Sequence, residues 1–316
     1  MRRRAFVVLV VLAAATARAA EPPGADLGQD HPLTGRIWDV AAARFVTTEA
    51  LTARLAAARF VLLGERHDHP EHHRLQASIV RGLAAAGRRP TVAFEMLDAD
   101  QAAALAAHVQ RSPRDAAGLG DAVGWSRSGW PPWPLYQPIA EAALSVGLPL
   151  AAANLPAGTA RAVARGDLGA LGPELVRAHG LDRPAAPAVQ AAMEGEMRDS
   201  HCGKLPDAVL PPMVTAQRAR DATMAERMLA TAADGAVLIA GAGHVRTDRG
   251  VPVYLTTRAP GASIASLAFV EVATGRSAAP DYAARFGAER LPFDYVWFTT
   301  RADDVDHCAR FERPRG

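Results

Sequence analysis

The chain has 316 residues, of which 49% are hydrophobic and 22% charged, and this balance excludes a disordered protein because it supplies a substantial apolar core. Its 35 basic and 33 acidic residues give a formal net charge of +2 and are interspersed along the sequence. Without a basic block, neither nucleic acid nor an anionic membrane surface is an expected partner.

The first nineteen residues predict a secretory signal peptide. Arg2, Arg3 and Arg4 precede an apolar stretch at 6–15, and Ala17 and Ala19 frame a cleavage site of small residues. The stretch is about half the roughly twenty residues that a membrane-spanning helix needs. No cysteine follows it that would accept a lipid. We therefore expect cleavage after the nineteenth residue, a periplasmic protein without a membrane anchor, and one mature domain over 20–316.

Apolar runs that alternate with helical segments predict an α/β core with a mainly parallel sheet flanked by helices. Strands are expected at 60–64, 91–96, 148–154, 236–241 and 263–272, and helices at 69–86, 98–109, 138–146 and 212–232. The segment 157–211 has no strand-like run, which indicates an inserted, mostly helical subdomain. Such an insert commonly caps the cleft at the carboxyl ends of the strands.

The two cysteines, Cys202 and Cys308, are expected to form a disulfide if the chain is exported. This bond would close a loop of about a hundred residues and hold the C-terminal segment to the middle of the chain. Two unpaired, buried cysteines are the alternative.

Four side chains at the ends of three predicted strands form a candidate site. Glu65 and His67 follow the first strand, Glu95 lies near the end of the second, and His244 follows the run at 236–241. Two imidazoles and two carboxylates suit acid–base catalysis, or a metal site with His67, Glu95 and His244 as ligands. Each residue alone is also consistent with a structural hydrogen bond, but their occurrence at three strand ends favours a functional site.

Several motifs in series resemble proteins of the ChaN family, over residues from about 60 to 254. They are Leu63-Gly64-Glu65-Arg66-His67-Asp68 with His72-His73, Glu95 in its strand, Trp133-Pro134-Leu135-Tyr136-Gln137-Pro138, Ala152-Ala153-Asn154-Leu155-Pro156, Ala216-Gln217-Arg218-Ala219-Arg220-Asp221, and Gly241-Ala242-Gly243-His244. The resemblance implies a superfamily shared with Tiki proteases and erythromycin esterases, whose paired Gly-x-x-His motifs and glutamates form the active site. Glu65, His67, Glu95 and His244 match those positions.

Within the ChaN branch, the resemblance implies haem binding for iron acquisition, with a tyrosine on the iron. Tyr136 is the candidate ligand because it lies in an aromatic, proline-rich loop that can line a flat apolar molecule. The same loop is equally consistent with an aromatic cap on the core. His201 and Lys204, near the helical segment, are candidates for contacts with the haem propionates.

Two hypotheses of different classes therefore remain. In the first, the cleft holds haem, with the option of a homodimer that binds it between two subunits. In the second, His67, Glu95 and His244 hold a divalent ion or act directly, and Glu65 activates water in a hydrolase. No Gly-x-Ser-x-Gly elbow or phosphate-binding Gly-x-x-x-x-Gly-Lys loop occurs, so a serine hydrolase and a P-loop nucleotide site are not expected.

Overall fold

The computed structural model describes residues 27–231, 234–306 and 308–309. The predicted signal peptide at 1–19 lies outside these residues. The strands are β1 (Ile37–Asp39), β2 (Arg44–Val46), β3 (Phe60–Glu65), β4 (Thr91–Asp98), β5 (Leu150–Asn154), β6 (Ala236–Gly241), β7 (Ile264–Glu271) and β8 (Tyr295–Thr299). The helices are α1 (Thr48–Ala57), α2 (Pro70–Ala85), α3 (Ala102–Arg111), α4 (Leu119–Ala122), α5 (Trp133–Leu144), α6 (Ala157–Ala164), α7 (Pro173–His179), α8 (Pro187–Ser200), α9 (Leu210–Leu229) and α10 (Val251–Arg258).

The strands form one sheet in the order β2-β1-β8-β7-β3-β6-β4-β5. The pairings from β8 through β7, β3, β6 and β4 to β5 are parallel. At the other edge, β1 pairs antiparallel with both β2 and β8. The predicted α/β fold with a mainly parallel sheet flanked by helices is confirmed.

Alternate residues of the central strands enter two separate hydrophobic cores, one on each face of the sheet. In β3, Phe60 and Leu62 belong to one core and Val61 and Leu63 to the other. Apolar residues of α9 and α10 fill the first core, and those of α2 and α5 fill the second. Burial on both faces explains why this strand is a continuous apolar run in the sequence.

The segment 157–211 contains α6, α7 and α8, as the absence of a strand pattern predicted. Helices α6 and α8 both pack on α9. Whether this segment is a separate subdomain stays a prediction. Within the described residues, no helix combines the length and apolar character needed to cross a membrane.

The predicted disulfide is present. Cys202, two residues beyond α8, is bonded to Cys308, with their Cα atoms 5.5 Å apart. Since the two cysteines are 106 positions apart in the sequence, the bond fixes a distant C-terminal segment to the end of α8.

Candidate functional site

The order of the strands brings the four predicted side chains together. Strand β6 lies between β3 and β4, and its last residue, Gly241, pairs with Glu65 at the end of β3. Glu95 projects from β4 on the other side of β6, and His244 follows β6 by three residues. The three strands run parallel, so these residues meet at one carboxyl edge of the sheet.

Glu95 is buried and has a partner on each oxygen. Its Oε1 accepts hydrogen bonds from Arg220 Nη2 at 2.8 Å and lies 3.1 Å from His244 Nε2. Its Oε2 accepts the backbone N–H of Gly241 at 2.7 Å. Burial alone would raise the pKa of Glu95, but the charged His244, His67 and Arg220 together lower it well below its usual value. Glu95 is therefore a carboxylate throughout the physiological pH range.

His244 bridges two carboxylates. Its Nδ1 lies 2.5 Å from Asp221 Oδ1 while its Nε2 faces Glu95. Burial opposes the imidazolium form, yet Glu95 and Asp221 together raise the pKa of His244 to about 9. At neutral pH the ring is thus a buried cation between two acids, with both nitrogens engaged.

Arg220 and Asp221 belong to this network but were not among the predicted site residues. Both come from α9, and Asp221 is buried although it lies on an otherwise apolar helix face. In the sequence they stand out as a charged pair at the centre of a helix. The residues on either side of the pair, Ala219 and Ala222, belong to the core. Residues within a helix are not found by a pattern that depends on the ends of strands.

Glu65 forms a second buried cluster beside the first. Its Oε1 accepts a hydrogen bond from the Tyr136 hydroxyl at 2.9 Å and lies 3.0 Å from His67 Nδ1. Its Oε2 lies 3.3 Å from His73 Nε2. Burial would raise the pKa of Glu65, but its contacts with His67 and His73 lower it.

Tyr136, the predicted iron ligand, is placed where it does not suit that role. Its side chain has no exposed surface, and its hydroxyl contacts Glu65 and, at 3.1 Å, the carbonyl oxygen of His67. Burial and the neighbouring carboxylate raise the pKa of Tyr136 well above its usual value, which disfavours the phenolate that iron(III) prefers. The prediction that Tyr136 lies in a loop is wrong, since Trp133 and Tyr136 belong to α5, and Trp125 and Trp133 are buried in the core.

His67 lies above this cluster and is partly open, with 32% of its side chain exposed. Its ring centroid is 4.8 Å from that of Trp130. The ring also lies over Gly241, where an added Cβ would be only 2.8 Å from His67 Nε2. A glycine at the end of β6 therefore makes room for this histidine.

The predicted metal site is not supported. Among the described residues, no group of three or more His, Cys, Asp or Glu side chains is arranged to hold a metal ion. His244 is a cation held between Glu95 and Asp221, so neither of its nitrogens has a lone pair for a metal, and Glu95 is already paired with Arg220 and His244. The metal-dependent hydrolase is accordingly not favoured.

A cavity of about 470 Å³, which we call the methionine cavity, lies beside the network between α6, α8 and α9. Met193, Met197 and Met213 form its apolar wall, and His201 also lines it. Lys204 is exposed and is not among the described residues that line the cavity. The remaining lining residues are Ala160, Arg161, Ala164, Glu196, Ser200, Ala216, Gln217, Arg220, Asp221, Gly243 and Arg249.

Comparison with known proteins identifies the family. The family described as haem-binding uptake, Tiki superfamily, ChaN, matches residues 51–255, more than half of the chain. No curated protein matches the sequence. The structure of ChaN from Campylobacter jejuni with cofacial haem is similar at 20% identity and a TM-score of 0.65, covering 83% of this chain and 95% of that one, which shows a shared fold. A mutant of the erythromycin esterase EreC in its open conformation has 17% identity and a TM-score of only 0.43, over 83% of this chain and 81% of that one. The chain therefore belongs to the ChaN family of haem-binding uptake proteins in the Tiki superfamily.

Proposed function

We propose that this chain binds haem in the methionine cavity as part of iron acquisition. The observation that carries the proposal is the composition of the cavity, which combines a wall of three methionines with the guanidinium groups of Arg161 and Arg249. Methionine side chains are apolar and adaptable, and they suit the flat surface of a porphyrin. The volume of about 470 Å³ lies within the range of small-molecule sites.

The cavity offers an exposed guanidinium to the carboxylates of haem. Arg161 lines the cavity and is exposed, whereas Arg249 is buried there in an ion pair with Glu196. Guanidinium groups bind carboxylates through paired, charge-assisted hydrogen bonds. Bound there, haem would supply the iron that the protein carries, while the chain holds it between apolar and cationic walls.

Titration of the purified protein with hemin, followed by the Soret band, tests this proposal. Met213→Glu places a carboxylate in the apolar wall and should weaken binding at least tenfold, because burial of that charge is costly. Val146→Glu is the matched control, since Val146 is 43% exposed outside the cavity. Binding that is absent in the wild type, or equal in both variants, would contradict the proposal.

Export is the second part of the proposal. It is supported by the signal-like sequence at 1–19 and by the Cys202–Cys308 bond, which favours an oxidising compartment. Fractionation of cells that express the full chain should recover a shortened protein in the periplasm, with both cysteines protected from thiol reagents. A full-length, thiol-reactive protein in the cytoplasm would contradict export.

A role in iron acquisition and a homodimer that shares haem complete the proposal. The ChaN structure from Campylobacter jejuni is described as binding haem cofacially, which motivates the second point. Growth on haem as the iron source should depend on the chain, and Met213→Glu should impair it.

Sedimentation with and without hemin should show the dimer with ligand bound, whereas a monomer in both conditions would exclude the dimer.

A further inference from the structure

We propose that His201 is the residue whose imidazole would bind the haem iron. This inference rests on the proposed haem site and replaces both the expected tyrosine ligand and the expected contact of His201 with a propionate. It concerns one side chain at the end of α8, and it follows from the position, the hydrogen bonding and the anchoring of that residue.

The position of His201 places it on the apolar side of α8. Met193, Met197 and His201 follow one another at a spacing of four residues, which puts them on one helix face. All three line the methionine cavity. The imidazole and the two methionines are thus presented to the same cavity.

The hydrogen bond of His201 prepares its other nitrogen for a metal. Nδ1 lies 2.8 Å from the carbonyl oxygen of Met197, one turn earlier. A carbonyl oxygen can only accept, so Nδ1 carries the proton and Nε2 keeps its lone pair. A ring N–H donated to a backbone carbonyl is the usual arrangement behind a metal-bound histidine, because it fixes the tautomer and raises the basicity of the ligand.

The backbone around His201 is held in place although the residue is exposed. The next residue, Cys202, is tied to Cys308 and has a left-handed φ of 57°. Backbone hydrogen bonds join Cys202 N to the carbonyl of Asp199 at 2.9 Å and Lys204 N to the carbonyl of His201 at 3.0 Å. A ligand on a cross-linked turn of this kind loses little conformational freedom on binding.

None of the four tyrosines, all of which lie in described parts of the chain, lines this cavity. Tyr136 and Tyr282 are fully buried, and Tyr295 lies in β8. Tyr254 lines a different cavity, and burial raises its pKa to about 12. Among the described residues that line the cavity, His201 is the histidine. It lies outside the buried network of Glu95, Asp221 and His244.

Resonance Raman spectra of the reduced haem complex test the inference, because an iron–histidine stretching band reports this ligand directly. The wild type should show the band, and His201→Gly should lose it and regain it when imidazole is added. Hemin titrations of the same variant should show about a tenfold loss of affinity. His31→Ala is the matched control for removal of a histidine outside the cavity. Tyr136→Phe and Tyr254→Phe should both keep the wild-type spectrum.

The outcomes separate this inference from the proposed function. A wild type that binds hemin with no iron–histidine band, or a band that survives in His201→Gly, overturns the inference and leaves the haem site standing. A tyrosinate charge-transfer spectrum lost in Tyr254→Phe also overturns it. A wild type that does not bind hemin overturns the proposed function and this inference together.

Discussion

A buried cation between two carboxylates gives the edge of the sheet an electrostatic core. His244 contacts Glu95 and Asp221, and Arg220 adds a second positive charge beside Glu95. The charges compensate one another, so burial is tolerated only while the set is complete. This interdependence lets single substitutions report on the whole network.

The stability of the fold should depend on the ionisation of His244. Its pKa is raised from 6.5 to about 9, so its contribution is complete below pH 6.5 and is lost as the pH rises through 9. We expect the free energy of unfolding of the wild type to exceed that of His244→Gln by about 3 kcal/mol near pH 6, and this difference to shrink above pH 9. Urea denaturation across this pH range measures both.

His31→Gln is the control for that experiment, since His31 lies outside the network and its Nδ1 accepts a local backbone N–H, from Leu33. Its difference from the wild type should stay nearly constant across the same pH range. A His244→Gln difference that is equally flat would show that the imidazolium does not contribute as inferred.

Gly241→Ala should displace His67 with a modest loss of stability. The new Cβ would lie 2.8 Å from His67 Nε2, and the ring must move because a real Cβ does not approach so closely. We expect a loss of about 1 kcal/mol and a lowered pKa of His67, since the ring would leave Glu65, which now helps to raise that pKa against burial. An NMR titration of the histidine ring measures the pKa.

Gly243→Ala is the matched control on the same turn, where a Cβ would come no closer than 3.8 Å to Glu196. It should leave the His67 titration at the wild-type position. Identical titrations in both alanine variants would mean that the ring does not lie over Gly241 in solution.

The site could be predicted from the sequence where it depends on strands. Glu65 and Glu95 interrupt continuous apolar runs, and such charges at the ends of parallel strands must find a cleft or a partner. Asp221 could not be located in this way, because a carboxylate on an amphipathic helix usually faces solvent. The prolines around Tyr136 favour a loop in the sequence, whereas the fold places this residue in α5 with its hydroxyl on Glu65.

At the scale of elements, burial decides which strands the sequence reveals. Strands β3, β4 and β6 are apolar on both faces and were predicted almost to their bounds. Strands β1 and β2 have three residues each, too few for a periodic pattern. Strand β8 is half-exposed on one face, and it pairs antiparallel with β1, far from it in the sequence. Long-range pairing of this kind leaves no local signal.

The disulfide should stabilise the end of α8 more than the sheet. Reduction, or Cys308→Ser, should lower the free energy of unfolding by up to about 4 kcal/mol, since the closed loop is long. Amide hydrogen exchange should accelerate in the last turn of α8 (Pro187–Ser200), while β3 and β6 keep their protection in the native state. Mass spectrometry after exchange measures the difference.

Two controls for local hydrogen exchange are the oxidised wild type in the same buffer and the Ser200→Ala variant, whose substitution lies close to the disulfide. If His201 binds iron, the reduced protein should also bind hemin more weakly, because its ligand loses the anchor at Cys202. Uniformly faster exchange over the whole chain would instead show that the bond supports the fold globally.

Several parts of the molecule meet at the methionine cavity. Residues of α6, α8 and α9 line it together with Gly243 and Arg249, which follow β6, and the disulfide joins the turn after α8 to Cys308. A ligand in this cavity would contact several elements at once. Its binding energy would therefore add to the stability of the entire fold rather than to one helix.

Hemin should consequently raise the melting temperature of the chain. A ligand that binds only the folded state, at a free concentration about a hundred times its Kd, adds about 2.7 kcal/mol at 25 °C. The unfolding entropy of about 2.1 cal/mol/K per residue means that each 1 kcal/mol shifts the midpoint of a chain of this size by roughly 1.5 °C, so a rise of about 4 °C is expected. Met213→Glu should lose most of this rise while Val146→Glu keeps it. Differential scanning calorimetry at several hemin concentrations measures the shift, and a midpoint that does not increase with hemin would show that the ligand does not select the folded chain.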